Sequence, residues 1–162
     1  DAKRYVTEDA MLWAVGEWNR PENDPASYVL SLQTRESLSG EALTDSIARG
    51  AEIYASENAQ CVSCHWSEGR GDGDTTDVFD DWNKPIKPEW VALGALPKRV
   101  TSPRDLRRRI FRGGSNPLDL YRRIYAGIYG TTMPEYKTVL IVDGDDRMIW
   151  DLVNYVRNFP NE

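Results

Sequence analysis

The chain has 162 residues, a net charge of −6 and a sequence pI near 4.9. This length suits one domain that buries roughly 70% of its unfolded surface, and the acidic balance argues against a nucleic acid as partner. No apolar run approaches the roughly 20 residues of a membrane span, and the start of the sequence lacks the apolar region of a signal peptide.

Residues 1–43 are predicted to form an arm that precedes a domain at 44–162. Thr7 is a candidate cap for a short helix that ends near Gly16, residues 19–25 have the composition of a loop, and residues 28–32 suit an extended segment. The arm carries three large aromatic side chains: Trp13, Trp18 and Tyr28. Disordered tails rarely hold so many, so the arm is expected to pack on the domain or on a partner.

A helix is predicted from about Thr44, its expected N-cap, to Ser56. Three residues recur at helical spacing on one face: Ile47, Ala51 and Tyr54. Gly50 lies mid-helix, where glycine costs about 1 kcal/mol relative to alanine. It therefore suggests that another helix crosses closely at this point, although a merely tolerated glycine is the alternative.

Residues 61–65 read Cys-Val-Ser-Cys-His, the C-x-x-C-H pattern in which two thiols bond the vinyl groups of a haem and the histidine ligates its iron. Cys61 and Cys64 are the only cysteines, and His65 is the only histidine. A zinc site would need a second Cys/His pair. A thioredoxin-like dithiol would need a strand before the motif, where a helical pattern stands instead. The motif predicts one covalently attached haem c.

The next segment, 67–74, is rich in glycine and aspartate. It lacks the Lys-Ser/Thr ending of a phosphate loop, and its acids miss the EF-hand spacing. It is predicted to be a flexible turn around the haem edge. Because Pro85 and Pro88 break the chain, residues 78–101 are predicted to be mostly loop with short turns.

Two similar helices are predicted at 102–113 and 116–127, since each stretch has a capping residue, proline at N1, aspartate at N3 and glycine past its end. Their expected i, i+4 core pairs are Leu106/Ile110 and Leu120/Ile124. Shared helix-end chemistry explains the likeness better than a functional repeat does. The final helix is predicted to begin near Asp145 or Asp146 and to stop before Pro160.

Positive charge is concentrated in residues 98–123, which hold nine Lys/Arg and two Asp, whereas the remainder carries a net −13. Five arginines are expected on the outer helix faces: Arg104, Arg107, Arg108, Arg112 and Arg122. They suggest a docking surface for an acidic partner. The alternative is a solvated face whose charges pair with nearby acids.

The haem iron needs a sixth ligand or an open position, and no second histidine exists. Three methionines remain: Met11, Met133 and Met148. Met133 stands in a loop between Gly130 and Pro134, where the backbone can hold a thioether toward a metal. It is the predicted ligand, because His/Met ligation is a standard c-type arrangement, and the other two methionines are expected to serve packing.

The sequence resembles the class I mono-haem c-type cytochromes over about residues 44–159. Five elements carry the resemblance: Gly50, Tyr54, the motif at 61–65, Thr132-Met133-Pro134 and residues 152–156. It implies an all-α cytochrome c fold, short helices and long loops around one haem, in which Gly50 packs on Tyr155 or Trp150. The N-terminal arm and the long interval from His65 to Met133 depart from the family pattern.

The resemblance also implies a carbonyl near a proline, accepting from His65, with Pro85 or Pro88 as the bordering residue. Three side chains are candidate donors to the haem propionates: Trp82, Arg112 and Tyr136.

The predicted function is one-electron transfer with unidentified redox partner proteins, and not enzymatic catalysis, because the sole histidine ligates iron and no nucleophile–base pair is found. One alternative is a subunit or excised domain of a membrane-bound oxidoreductase, docked on that complex. A less favoured one is a haem sensor or enzyme with a displaceable methionine. Covalent haem implies a periplasmic or otherwise extracytoplasmic location, so the chain is expected to be a mature or trimmed form.

Overall fold

The computed structural model describes residues 8–23, 37–73, 88–94, 102–128 and 131–160. Within these ranges the secondary structure is helical, without strands, as predicted. The helices are α1 (Glu8–Asn23), α2 (Gly40–Ala55), α3 (Cys61–His65), α4 (Pro88–Ala92), α5 (Pro117–Ala126), α6 (Lys137–Leu140) and α7 (Arg147–Arg157). The chain divides into two compact units, Asp1–Arg35 and Glu36–Glu162. None of the described helices combines the length and apolar character of a membrane span.

The first unit contains α1, which continues past the predicted end at Gly16 and takes in most of the predicted loop at 19–25. Both of those predictions are wrong. A single glycine costs a helix only about 1 kcal/mol, and nothing lies within 4 Å of where its side chain would be. Large apolar side chains of α1 are exposed: Met11, Leu12, Trp13, Val15 and Trp18. The segment predicted to be extended, 28–32, lies outside the described residues.

The second unit is built on the crossing of α2 and α7. Helix α2 begins at Gly40, with Ser39 at its N-cap, so the predicted start at Thr44 is wrong. The Thr44 hydroxyl donates to the Gly40 carbonyl at 3.2 Å, within the first turn. Helix α7 begins after Asp146, as predicted. Its apolar side chains form much of the core: Ile149, Trp150, Leu152, Val153 and Val156.

Gly50 marks the point where the two helices touch. A Cβ atom at this position would collide with the Asp151 carbonyl oxygen and would lie 2.6 Å from Tyr155 Cβ. No side chain fits there without moving the helices apart. The prediction that another helix crosses closely at Gly50 is confirmed, and its aromatic partner is Tyr155 and not Trp150.

A buried polar network joins the same two helices. The buried Asp151 carboxylate accepts from the Ser46 hydroxyl at 2.5 Å and from Arg49 Nε at 2.7 Å and Nη2 at 2.9 Å. Asn154 donates to the Ser46 hydroxyl at 2.9 Å. Because a buried carboxylate is costly unless fully bonded, this network fixes the register of α2 on α7.

Helix α5 forms where the second of the two similar helices is predicted, and Leu120, Tyr121 and Ile124 are buried. Tyr121 lies 4.7 Å from the Trp150 ring, and both residues donate to Asp146 Oδ2 at 3.0 Å. The first predicted helix, at 102–113, does not form. Leu106 is buried there, but Ile110 is 67% exposed, so the predicted Leu106/Ile110 core pair is wrong.

Candidate haem-attachment site

The cysteine motif forms the one-turn helix α3, which is bounded on both sides by residues with left-handed backbone. Gln60 has φ of 48° and Trp66 has φ of 63°, values that favour glycine. Local contacts hold these conformations: the Trp66 amide donates to Val62 O at 2.9 Å, and the Tyr54 hydroxyl donates to Trp66 O at 2.7 Å. The three functional residues therefore lie on one turn that begins and ends with a sharp change in backbone direction. No glycine in the sequence signals either bend.

The two thiols lie on this turn, half-buried and not joined in a disulfide. Burial raises the pKa of Cys61 to about 11, although the Tyr136 hydroxyl, within hydrogen-bond reach of the sulfur, acts in the opposite direction. The Cys61 thiol is therefore protonated at neutral pH. Two unpaired cysteines, three residues apart on one helical turn, are what thioether attachment to a haem requires.

His65 is oriented by the main chain. Its Nδ1 lies 3.0 Å from the Arg104 carbonyl oxygen, and because a carbonyl only accepts, Nδ1 carries the hydrogen. Burial lowers the pKa of His65, and the bond to Arg104 opposes that shift in part. The imidazole is therefore neutral, with its Nε2 lone pair available to a metal. The carbonyl follows Pro103, so the prediction of Pro88 is wrong, and Pro85 lies outside the described residues.

The glycine-rich segment after the motif folds back onto it. The Gly71 amide donates to His65 O at 3.1 Å, and the Gly73 amide donates to Cys64 O at 3.2 Å. A Cβ atom on Gly69 would lie 2.6 Å from the Phe159 ring. These glycines permit close backbone approach. Residues 67–73, predicted to be a flexible turn, are therefore held to the motif by main-chain hydrogen bonds.

The same contacts explain why residues 102–113 are not helical. In a helix, the Arg104 carbonyl would accept from the amide of residue 108, and the Leu106 amide would donate to residue 102. Here His65 takes the Arg104 carbonyl, and the Leu106 amide donates to Gly69 O at 2.7 Å. Tertiary hydrogen bonds have replaced helical ones, a competition that local helix-end signals do not report.

Met133 lies in the loop between α5 and α6 and is half-buried. Its amide donates to the Thr131 hydroxyl at 3.2 Å, and its carbonyl accepts from the Ile128 amide at 3.2 Å. Tyr136, three residues later, acts to lower the pKa of the Cys61 thiol, so this part of the loop lies near the motif. Met11, in contrast, is 57% exposed instead of packed, and Met148 is half-buried in α7.

The predicted propionate donors are spread out. Tyr136 is half-buried beside the motif, and burial raises its pKa, so its hydroxyl is a donor at neutral pH. Arg112 is exposed, and Trp82 lies outside the described residues. Their roles stay predictions.

The residues of α3 fit a covalently bound haem. They supply two unpaired thiols and one neutral imidazole, whose Nδ1 is already bonded to the Arg104 carbonyl. Across the described ranges, no group of three or more His, Cys, Asp and Glu side chains could hold a separate metal ion. The fold and this site define a c-type haem-binding protein.

Comparison with known proteins agrees with this result. The family model described as Cytochrome c matches residues 47–160. The chain belongs to the cytochrome c family, which confirms the all-α cytochrome c fold and implies covalent haem c and haem-based electron transfer. No curated protein matches.

One solved structure with a similar chain is the reducing HAO-like protein complex of Kuenenia stuttgartiensis. The identity is 28% and the TM-score 0.56, and the match covers 84% of this chain and 54% of that one. This chain therefore spans about half the length of its structural neighbour.

Proposed function

We propose that this chain transfers single electrons on one haem c that is attached through Cys61 and Cys64 and ligated by His65 and Met133. The observation that carries the proposal is the bond from His65 Nδ1 to the Arg104 carbonyl, one residue from a pair of unpaired thiols. Because covalent haem attachment is an extracytoplasmic process, the compartment proposed is the periplasm or its equivalent.

A haem bound here supplies an iron that alternates between the ferrous and ferric states. The chain's residues hold it: the thiols anchor it by covalent bonds, and His65 offers Nε2 while Arg104 fixes the ring's orientation. The segment 67–73 is bonded to the carbonyls of His65 and Cys64, which limits movement around the site. A site that changes little between two oxidation states favours fast electron transfer.

Met133 is proposed as the second ligand because its loop is held at both its amide and its carbonyl. A Cβ atom at Gly127 would lie 2.7 Å from Met133 O, so the loop packs tightly against the end of α5. A thioether ligand raises the reduction potential relative to a second imidazole. If His65 and Met133 are both ligands, the chain has no second histidine to act as a base, and its residues favour a carrier over an enzyme.

The proposal is tested by absorption spectra of the purified holoprotein in both oxidation states, followed by carbon monoxide. We expect a haem c spectrum that survives denaturing extraction, and no change on adding carbon monoxide. The matched control is the double variant Cys61→Ala with Cys64→Ala, which should lose all covalent haem. Rapid carbon monoxide binding by the wild type would favour a sensor or enzyme.

A second candidate keeps electron transfer but makes the chain a subunit of a larger oxidoreductase. Two observations favour it. The structural neighbour is a chain of a protein complex, and α1 exposes several large apolar side chains, with Trp18 at 80% and Trp13 at 68%. Apolar surface of this kind commonly marks a protein-binding segment.

The native mass of the haem-containing species in an extract of the source cells separates the two candidates. A free carrier runs at the mass of this chain plus one haem, whereas a subunit runs in a heavier species. We expect a matched pair of variants, Trp18→Glu and Asn19→Glu, which add the same charge at neighbouring exposed positions, to differ if α1 binds the partner. Only the first should then release the chain from the heavier species.

A further inference from the structure

An ion pair closes the turn that carries the Arg104 carbonyl. Arg107 bonds the Asp105 carboxylate three times, through its amide at 3.1 Å and through Nε and Nη2 at 3.0 Å each. The two side chains are only 20% and 21% exposed. Arg108 reaches the same carboxylate only at 3.7 Å and is 74% exposed. The two arginines thus differ in geometry although they are neighbours with the same charge.

Asp105 lies between two peptide groups, one bonded to His65 of the haem motif and one bonded to Gly69 of the segment that follows the motif. On its N-terminal side the Arg104 carbonyl accepts from His65, and on its C-terminal side the Leu106 amide donates to Gly69 O at 2.7 Å. The Arg109 amide donates to Leu106 O at 3.1 Å and so forms a backbone turn over residues 106–109. Any rotation of the backbone at Asp105 would therefore disturb the bond to the histidine.

We propose that the Asp105–Arg107 pair is a positioning device for the axial histidine, holding the Arg104 carbonyl in line with His65 Nδ1. The inference rests on the proposed function, since it needs His65 to ligate the haem iron. A well-aligned carbonyl makes the imidazole a stronger electron donor, which stabilises the ferric state and lowers the reduction potential. Loosening the pair weakens that bond and raises the potential.

The test compares holoproteins of the wild type, Arg107→Gln and Arg108→Gln. Both variants remove one positive charge from the same segment, but only Arg107→Gln removes the two guanidinium hydrogen bonds to the Asp105 carboxylate. The readouts are hydrogen exchange of the His65 Nδ1 proton, followed by NMR, and the midpoint potential. We expect exchange about threefold faster or more in Arg107→Gln, from loss of the half-buried pair. Its potential should lie above that of Arg108→Gln, whose exchange should match the wild type.

Asp105→Asn separates position from charge. It removes a negative charge where Arg107→Gln removes a positive one, so pure electrostatics shifts the two potentials in opposite directions. A positioning role accelerates Nδ1 exchange in both. If either variant fails to fold, Arg107→Lys keeps the charge but loses the bidentate fork, and faster exchange there supports the proposal equally.

Equal exchange in Arg107→Gln and Arg108→Gln would overturn the proposal, as would faster exchange matched by the Val153 amide in the centre of α7, which would indicate general loosening. A wild-type protein without covalent haem would instead overturn the proposed function. The two failures are therefore distinguishable.

Discussion

At the scale of single residues, the site depends on bonds that each fix one atom. The bond that His65 Nδ1 donates to the Arg104 carbonyl leaves Nε2 as the nitrogen available to a metal. The bonds at Thr131 and Ile128 fix the backbone of Met133 on both sides. The Met133 side chain takes no part in the two bonds that support its loop. Substituting it should therefore change ligation while leaving the loop in place.

We expect Met133→Ala to open the sixth coordination position and lower the reduction potential, while thioether attachment through the cysteines persists. In the ferric protein the Met-to-iron charge-transfer band should vanish. Met148→Ala is the matched control, since that methionine is also half-buried but lies in α7. A band that persists in Met133→Ala and disappears in Met148→Ala would assign the ligand to α7.

At the scale of secondary-structure elements, the crossing of α2 and α7 supports the haem-attachment motif from α2. It combines a glycine contact at Gly50 with the buried network around Asp151. Tyr54, on the next turn of α2, lies 5.3 Å from the Tyr155 ring and donates to Trp66 O. The crossing is thus connected directly to the end of α3, and a change in helix spacing reaches the haem site.

Gly50→Leu should separate the two helices and lower the free energy of unfolding by about 1–3 kcal/mol, the usual cost of overpacking. Ala48→Leu adds a leucine to an exposed position of the same helix and should change stability little. Chemical denaturation of the three proteins measures the difference. Equal stability of Gly50→Leu and the wild type would mean that the helices do not touch at this residue.

The network predicts an asymmetry between its two charged members. Asp151 is buried, whereas the Arg49 side chain is 54% exposed and its pKa is raised chiefly by its hydrogen bonds to Asp151. Arg49→Leu leaves a buried carboxylate with fewer partners, which should cost about 1–3 kcal/mol. Asp151→Leu removes the buried charge itself, while Arg49 can turn to water. We expect Arg49→Leu to be at least as destabilising, as measured by denaturant titration.

At the scale of the whole molecule, the net charge of −6 conceals a basic segment. The structure divides its arginines into two groups. Arg107 is bonded to Asp105, and Arg109 donates to Phe159 O at 3.2 Å, so these two hold the fold together. Arg108 and Arg112 are exposed on either side of the exposed Ile110. The predicted outer helix face is therefore replaced by an irregular segment that projects fewer charges.

With an acidic redox partner, the electron-transfer rate should fall as ionic strength rises, because salt screens the attraction. Arg108→Glu combined with Arg112→Glu should reduce the rate at low salt and flatten its salt dependence. Arg157→Glu is the control, since Arg157 is exposed at the end of α7 and lies outside the basic segment 98–123. Stopped-flow kinetics measures both. If the double variant keeps the wild-type rate and salt slope, docking occurs elsewhere on the molecule.

The sequence by itself predicted the haem-attachment motif and the helices α2, α5 and α7. The spacing of Cys61, Cys64 and His65 predicts haem attachment, because thioether bonding and ligation need those groups on one turn. Gly50 likewise predicts a helix crossing, since a glycine in mid-helix costs stability and allows close approach of a second backbone. Helix α5 follows from its own capping residues and apolar spacing. These features depend on contacts within a few residues, or on a chemistry that allows few alternatives.

Only the tertiary structure decided where the remaining bonds go. Residues 102–113 carry the same helix-end signals as α5, yet His65 and Gly69 take the Arg104 carbonyl and the Leu106 amide that a helix would use. The left-handed backbone at Gln60 and Trp66, with no glycine to mark it, is likewise held by neighbouring groups. A main-chain carbonyl carries no side-chain signature, so the acceptor that His65 bonds 39 residues away becomes visible only when the chain is folded.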